Sequence, residues 1–277
     1  MTASVPAVLA LAAAALVPAV LGGLERLAAP SSELIDPVWT ERDPASDRVV
    51  DHSALDAFLA EYRRDGSPAR IDYGAVTQAD AATLDGYIGD LGAVDPRTLA
   101  ADEQLAYWLN LYNAATLALV LDHYPVDSIR DIGSGLFEDG PWDREVVEVL
   151  GRPLTLNEIE HGIVRPVYGE PRIHYAVNCA AVDCPGIAPT AWRGAGLDAR
   201  LAAAERAFVN DPRGVRVEDG ELVLNKIWLW FREDFAATEA GLLDRLREVA
   251  EGRTATALEG REAPDGYAYD WSLNDVR

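Results

Sequence analysis

The chain has 277 residues with 46 acidic against 24 basic side chains, a formal net charge of −22. Its composition, 49% hydrophobic and 25% charged with seven tryptophans and ten tyrosines, is that of a globular protein with a sizeable core. Wholesale disorder, collagen repeats and a coiled coil are excluded, and the acidic surface argues against nucleic acid or an anionic lipid surface as a partner.

Val5 to Leu24 is an uncharged Ala/Leu/Val run of about bilayer-spanning length. Residues 1–30 are therefore expected to be a signal peptide or membrane anchor, giving an exported protein, periplasmic, extracellular or attached to the membrane through residues 5–24. Residues 31–50, polar and carrying Pro37 and Pro44, read as a linker, with a folded domain over 51–277. Leu55, Phe58, Leu59 and Tyr62 recur at helical spacing, and Arg70 to Tyr73 is strand-like. A second helix is expected near Asp80 to Leu91. From about Ala100 to His123 the apolar residues wrap most of a long helix, stopped at Tyr124-Pro125, which makes it central to a core.

Asp131 to Pro141 is glycine-rich and reads as a loop, followed by a hairpin of short strands over Val146 to Leu154. Thr155-Leu156-Asn157-Glu158 has the form of a capping box, with Leu154 and Ile159 as its hydrophobic staple, so a helix is expected from Leu156 to Arg165, closed by Pro166. Ile173 to Asn178 alternates imperfectly and predicts a strand. A helix over Leu197 to Val209, a hairpin near Val215–Val217 and Leu222–Leu224, and a Trp-rich helix near Ile227 to Phe235 complete one α+β domain, helical in its N-terminal part with a small antiparallel sheet.

The two cysteines, Cys179 and Cys184, stand in the loop after the expected strand, with His161 and His174 shortly before them. Three chemistries fit those residue types. One thiol can be a nucleophile served by an imidazole base, itself oriented by a carboxylate or amide; the two thiols can be a disulfide, which an exported context favours; or the four side chains can hold zinc. An extended path would set His174 and Cys179 about 17 Å apart. Asn110 and Asn113, within an otherwise apolar helix, need buried partners, and either brace a loop or, at Asn113, orient a histidine. His123 is expected to cap a helix end.

Several strings then resemble one family as an ordered set: Glu103 to Ala114, Leu154 to His161, Pro171 to Ala180, Cys184-Pro185, Trp230 to Phe235 and Tyr269 to Asn274. They are similar to the domain of unknown function 547, over roughly residues 51–274. The resemblance implies an exported or multidomain protein with the glutamate-histidine helix and the asparagine-cysteine and cysteine-proline strings as its hallmark. The order of histidine and cysteine elements is similar to that of papain-like or transglutaminase-like thiol hydrolases, circularly permuted. On that likeness, the expected activity is a cysteine-dependent hydrolase or acyl transferase acting on a peptide or amide, with no cofactor and zinc as the alternative. Cys184 is the expected nucleophile, at a helix N-cap before Pro185, with Cys179 as its redox partner or substitute. His161 is the expected base, oriented by Glu160, Asn178 or Asn113; His174 is the alternate base, and a backbone amide between Ala180 and Cys184 the oxyanion donor. The competing expectation is a non-catalytic binding or scaffold module with a Cys179–Cys184 disulfide.

Overall fold

The computed structural model describes residues 29–133 and 140–277 and is a mixed α+β protein, mostly helical with small sheets. The apolar run Val5 to Leu24 and most of the glycine-rich loop lie outside the described residues. Among the described residues, no helix is long and apolar enough to cross a membrane. Contacts divide the chain into two compact units. The larger comprises Ser31–Asp211 and Asp270–Arg277, and the smaller is Pro212–Tyr269.

In the larger unit, α1 (Ser53–Tyr62), α2 (Gln78–Gly92) and α3 (Ala101–His123) follow one another, with a two-stranded pair β1 (Arg63–Arg64) and β2 (Arg70–Ile71) after α1. The antiparallel hairpin β3 (Glu145–Val149) and β4 (Arg152–Thr155) leads into a helix. That helix starts with a capping box as expected: the Glu158 amide donates to Thr155 Oγ1 (3.1 Å) and the Thr155 amide to Glu158 Oε2 (2.9 Å). It does not close at Pro166. It widens to a π-helix over Glu158–Val164 and continues as α4 (Arg165–Tyr168), with Pro166 in its first turn, where its missing N–H is tolerated; Gly169 ends it in the left-handed region at φ 56°. The last helix of this unit, α5, spans Leu197–Val209.

Two expectations give way in this unit. The strand expected over Ile173 to Asn178 is a 3₁₀ helix, Pro171–Tyr175, with Pro171 in its first turn and the Glu170 carboxylate accepting from the Arg172 amide (3.0 Å). Ile173 through Val177 are all buried, and because the segment is helical the extended 17 Å separation of His174 and Cys179 does not apply. The stretch read as a linker is packed: Trp39 is buried and meets Trp108 edge to face at 5.5 Å, and the amides of Glu33 and Ile35 donate to the carbonyls of His161 and Gly162. A side chain at Gly162 would meet Ile35 at 2.6 Å, so the approach depends on that glycine.

Helix α3 is buried over most of its length. Its polar side chains hold the backbone of the surrounding loops. Glu103 accepts from the amides of Val50 (2.8 Å) and Gly194 (2.9 Å), and Asn110 both donates to the Trp192 carbonyl and accepts from the Trp192 amide, each at 2.8 Å. Gly194 lies so close to the helix that a Cβ there would stand 2.6 Å from the Glu103 nitrogen. The C-terminal residues run as a strap beside the cysteine loop: the Val182 amide donates to Ser272, the Asn274 amide to Ala180 and the Ile71 amide to Asn274.

The smaller unit carries a three-stranded sheet of β5 (Val215–Glu218), β6 (Glu221–Asn225) and β7 (Gly266–Ala268), antiparallel between β5 and β6 and parallel between β6 and β7. The Trp-rich segment forms two short helices, α6 (Ile227–Trp230) and α7 (Arg232–Phe235), followed by α8 (Glu239–Val249) and α9 (Gly252–Leu258).

Two stability predictions follow from this packing. Asn110→Ala strands a buried amide and carbonyl of Trp192 and lowers unfolding free energy by about 2–4 kcal/mol, read from the urea midpoint. His52 is buried with Nδ1 2.6 Å from the Tyr87 hydroxyl and Nε2 without a hydrogen-bond partner, and burial holds its imidazole down at about 4. The folded state therefore refuses a proton that the unfolded chain accepts below about 6.5. Stability is complete above that pH and is lost as pH falls toward 4; the urea midpoint drops between pH 7 and pH 5, and His52→Gln flattens the drop.

Candidate active site

The site lies wholly within the larger unit and is built from α3, the π-helix, the 3₁₀ helix and the cysteine loop. Glu160, His161 and Arg165 come from the π-helix and its continuation, and all three are buried. His174 comes from the 3₁₀ helix and is 2% exposed. Its Nδ1 stands 3.5 Å from Glu160 Oε1, while His161 Nε2 is 3.9 Å from Glu160 Oε2. One carboxylate thus joins both histidines.

The ring nitrogens can be assigned from their partners. A guanidinium can only donate, so Arg165 Nη1, 3.2 Å from His161 Nδ1, requires a lone pair on that nitrogen and leaves the His161 proton on Nε2. An ionised carboxylate can only accept, so Glu160 places the His174 proton on Nδ1 and makes Nε2 its basic nitrogen. Burial pushes the Glu160 carboxyl up, but the electrostatic influence of His161, the bond from His174 and the Arg165 guanidinium together bring it down to about 2. Glu160 is ionised at neutral pH.

Tyr112, on the buried face of α3, ties this carboxylate to the thiols. Burial first, then the charges of Glu160 and of Cys179 and Cys184, then its hydrogen bond to Glu160 hold the phenol well above its ordinary range, so it stays a donor. Tyr73, buried on another side, is pushed up by burial and by Asp275, Cys179 and Cys184, and its hydroxyl donates to Asn274 Oδ1 at 2.9 Å.

Cys179 and Cys184 carry thiols, with their sulfurs 2.9 Å apart. The expected Cys179–Cys184 disulfide is not formed. The Cys179 amide donates to Cys184 Sγ at 3.0 Å. Cys184 is buried at 5% exposure, whereas Cys179 is partly exposed. Ala180, a non-glycine at φ 59°, turns the chain between them. Asn178 closes the loop at its base: its Nδ2 donates to the Pro185 carbonyl (2.8 Å) and its Oδ1 accepts from the Ala180 amide (3.0 Å) and from Asn274 Nδ2 (3.2 Å).

The expected residues therefore separate by role. Glu160 lies beside both His161 and His174, where it was expected to orient His161, and Cys179 and Cys184 meet each other. Asn113 and Asn178 do not orient an imidazole. Asn113 donates to the Ala176 carbonyl (2.9 Å) and accepts from the Asn178 amide (2.8 Å), so both amides brace the loop that carries Cys179. No helix begins at Cys184-Pro185, since the next is α5, so helix-dipole activation of that thiol is not available. The amides of Ala180, Val182, Asp183 and Cys184 are committed to Asn178, Ser272, Asp270 and Ala181, which removes most of the expected oxyanion donors. The zinc arrangement is not assembled: among the described residues no three His, Cys, Asp or Glu side chains are grouped to hold a metal ion, and the two thiols turn toward each other. His123 caps its own helix, with Nδ1 2.9 Å from the Leu119 carbonyl. Arg165, Tyr112 and Asn274 were not anticipated; Arg165 lies one helical turn beyond His161, a spacing that could have marked it.

With this geometry in hand, the chain can be set against known proteins. Residues 96–209 match the family model described as "Protein of unknown function, DUF547". The chain carries a DUF547 domain over those residues. The match runs from just before α3 to the end of α5, and so contains Glu160, both histidines and both cysteines, but not the C-terminal strap with Asn274. No curated protein and no solved structure is similar to the chain.

Glu160→Gln removes the buried carboxylate charge that accepts from His174 and faces Arg165, and costs about 3–5 kcal/mol at pH 7, read by urea unfolding. The stabilisation from the ionised carboxylate is complete above the unfolded-state value near 4.5 and is lost as pH falls toward about 2. The gap between wild type and Glu160→Gln accordingly narrows over that interval.

Proposed function

We propose that this DUF547 domain is a cysteine-dependent hydrolase or acyl transferase acting on an amide or peptide bond. The observation that carries the reading is the Cys179 amide aimed at Cys184 Sγ, because a peptide N–H donated to sulfur favours the thiolate over the thiol. Cys184 is the nucleophile in this reading. His174, not His161, is the base: Glu160 fixes its tautomer with the proton on Nδ1, while the Nδ1 lone pair of His161 is occupied by Arg165. The Cys184 thiol proton passes to His174 Nε2 and the thiolate adds to the carbonyl carbon. The amine leaves with the proton from His174, and a thioester remains, cleaved by water in hydrolysis or by an acceptor amine or hydroxyl in transfer.

The oxyanion donor in this reading is the Ala181 amide. Ala181 and Leu273 form an antiparallel bridge whose hydrogen bonds are made by their neighbours, Val182 to Ser272 and Asn274 to Ala180, and such a pair turns its own N–H groups away from each other. The proposed likeness to papain-like and transglutaminase-like hydrolases is an analogy that rests only on the cysteine, histidine and carboxylate chemistry of this reading. Export belongs to the same proposal, supported by the apolar run Val5 to Leu24, which would also serve for membrane attachment, and the acidic balance of the chain disfavours nucleic acid.

Alkylation by iodoacetamide across pH 5 to 9 under reducing conditions, read by mass at each cysteine, tests the assignment. Cys184 reacts below pH 7 at rates above those of an ordinary thiol; His174→Ala abolishes that low-pH reactivity, and His161→Ala leaves most of it. Equal, ordinary pH profiles for both cysteines in the native protein would sink the proposal.

A further inference from the structure

We propose that Cys179 and Cys184 form a thiol–disulfide exchange site for small disulfides of the glutathione type, and that exchange reversibly blocks the thiol chemistry of the domain. The exchange itself follows from the loop; only its regulatory consequence rests on the hydrolase reading.

Two thiols in direct contact, at 2.9 Å, are uncommon unless the backbone holds them there. Here it does. Asn178 ties the two ends of the loop through Ala180 and Pro185, Ala180 makes the reversal in the left-handed region, and the strap residues Asp270, Ser272 and Asn274 hold the loop from outside through Asp183, Val182 and Ala180. The loop-closure entropy of a disulfide is already met by these contacts in the folded state. So short a loop constrains little of the unfolded chain, which suits a bond that opens and closes better than one that holds the fold.

Exposure fixes the order of steps. Cys179 is partly exposed and Cys184 is buried. The Cys179 thiolate attacks one sulfur of the small disulfide, the S–S bond breaks, and one thiolate leaves and takes up a proton. A mixed disulfide remains on Cys179. Cys184, its sulfur already the acceptor of the Cys179 amide hydrogen, then attacks the Cys179 sulfur as a thiolate and displaces the second small thiol. The protein loses two electrons and two protons, and the small disulfide is reduced to two thiols. Cys184 is thereby consumed, and a reducing dithiol restores it.

The full reduced chain, exposed to oxidised glutathione at neutral pH and analysed by intact mass and peptide mapping, tests this. The expected result is loss of two hydrogen masses with a Cys179–Cys184 cross-linked peptide, reversed by dithiothreitol. Cys184→Ser should accumulate one glutathione, on Cys179 only, and Cys179→Ser should take up glutathione at the less exposed Cys184 far more slowly. A native wild-type chain that stays reduced, or that holds a stable glutathione adduct without ring closure, would overturn the site. The readout is independent of the hydrolase reading: ring closure together with ordinary alkylation profiles supports the exchange site and removes the hydrolase.

Discussion

Everything around the site depends on one constraint, the need to satisfy backbone groups of loops that are buried against helix α3. The helix satisfies its own backbone internally, so only its side chains can meet the amides and carbonyls arriving from elsewhere. Glu103 takes the amides of Val50 and Gly194, Asn110 takes both groups of Trp192, and Asn113 takes one group each from Ala176 and Asn178. Gln104 adds donors to the Glu41 and Pro96 carbonyls. An apolar side chain at any of these positions would leave a buried polar group unpaired, at a cost larger than the bond itself contributes. The long helix is therefore a spine that fixes loops on several sides, and the loop with the cysteines is one of them.

On that spine the chemistry divides into two coupled groups. The first is Glu160 with His161, His174 and Arg165, where an ionised carboxylate in a buried setting is held by donors on several sides. The second is the pair of thiols, held by Asn178 and the C-terminal strap. Tyr112 connects them, bonded to Glu160 and within electrostatic reach of both sulfurs. Arg165 and Glu160 act in opposite directions on chemically identical rings: one consumes a lone pair and the other fixes a proton. Two histidines of the same helix-rich corner thus have different basic nitrogens, and this asymmetry carries the assignment of His174 as base.

Much of the fold was legible because it rests on local rules. The all-round apolar pattern of Ala100 to His123, the Thr155–Glu158 box and the hairpins are each fixed by periodicity or by capping. Where tertiary packing decided, the sequence reading failed. Ile173 to Asn178 has strand composition, yet every residue from Ile173 to Val177 is buried and Pro171 starts a 3₁₀ turn. The stretch 31–50 has linker composition, but Trp39 packs on Trp108 and backbone bonds from Glu33, Ile35 and Val50 tie it down. Pro166 reads as a stop, and the π-helical widening carries the chain through it. In the site, the nearness of Glu160 and His161 and of the two thiols follows from their sequence spacing, whereas the contact of Glu160 with His174 depends on the 3₁₀ helix that the sequence did not signal. The roles of Asn113 and Asn178 did not, because a buried amide serves a backbone or an imidazole with the same residue type. Tyr112 offered no signal beyond its place in an apolar helix.

The most direct test of the account is the protonation pattern of the two imidazoles, read by ¹⁵N–¹H correlation NMR of the histidine rings at neutral pH, with His161→Gln and His174→Gln used for assignment. The account predicts His174 as the Nδ1–H tautomer and His161 as the Nε2–H tautomer. The reverse pattern, or a shared tautomer for both rings, would contradict it and remove the basis for choosing His174.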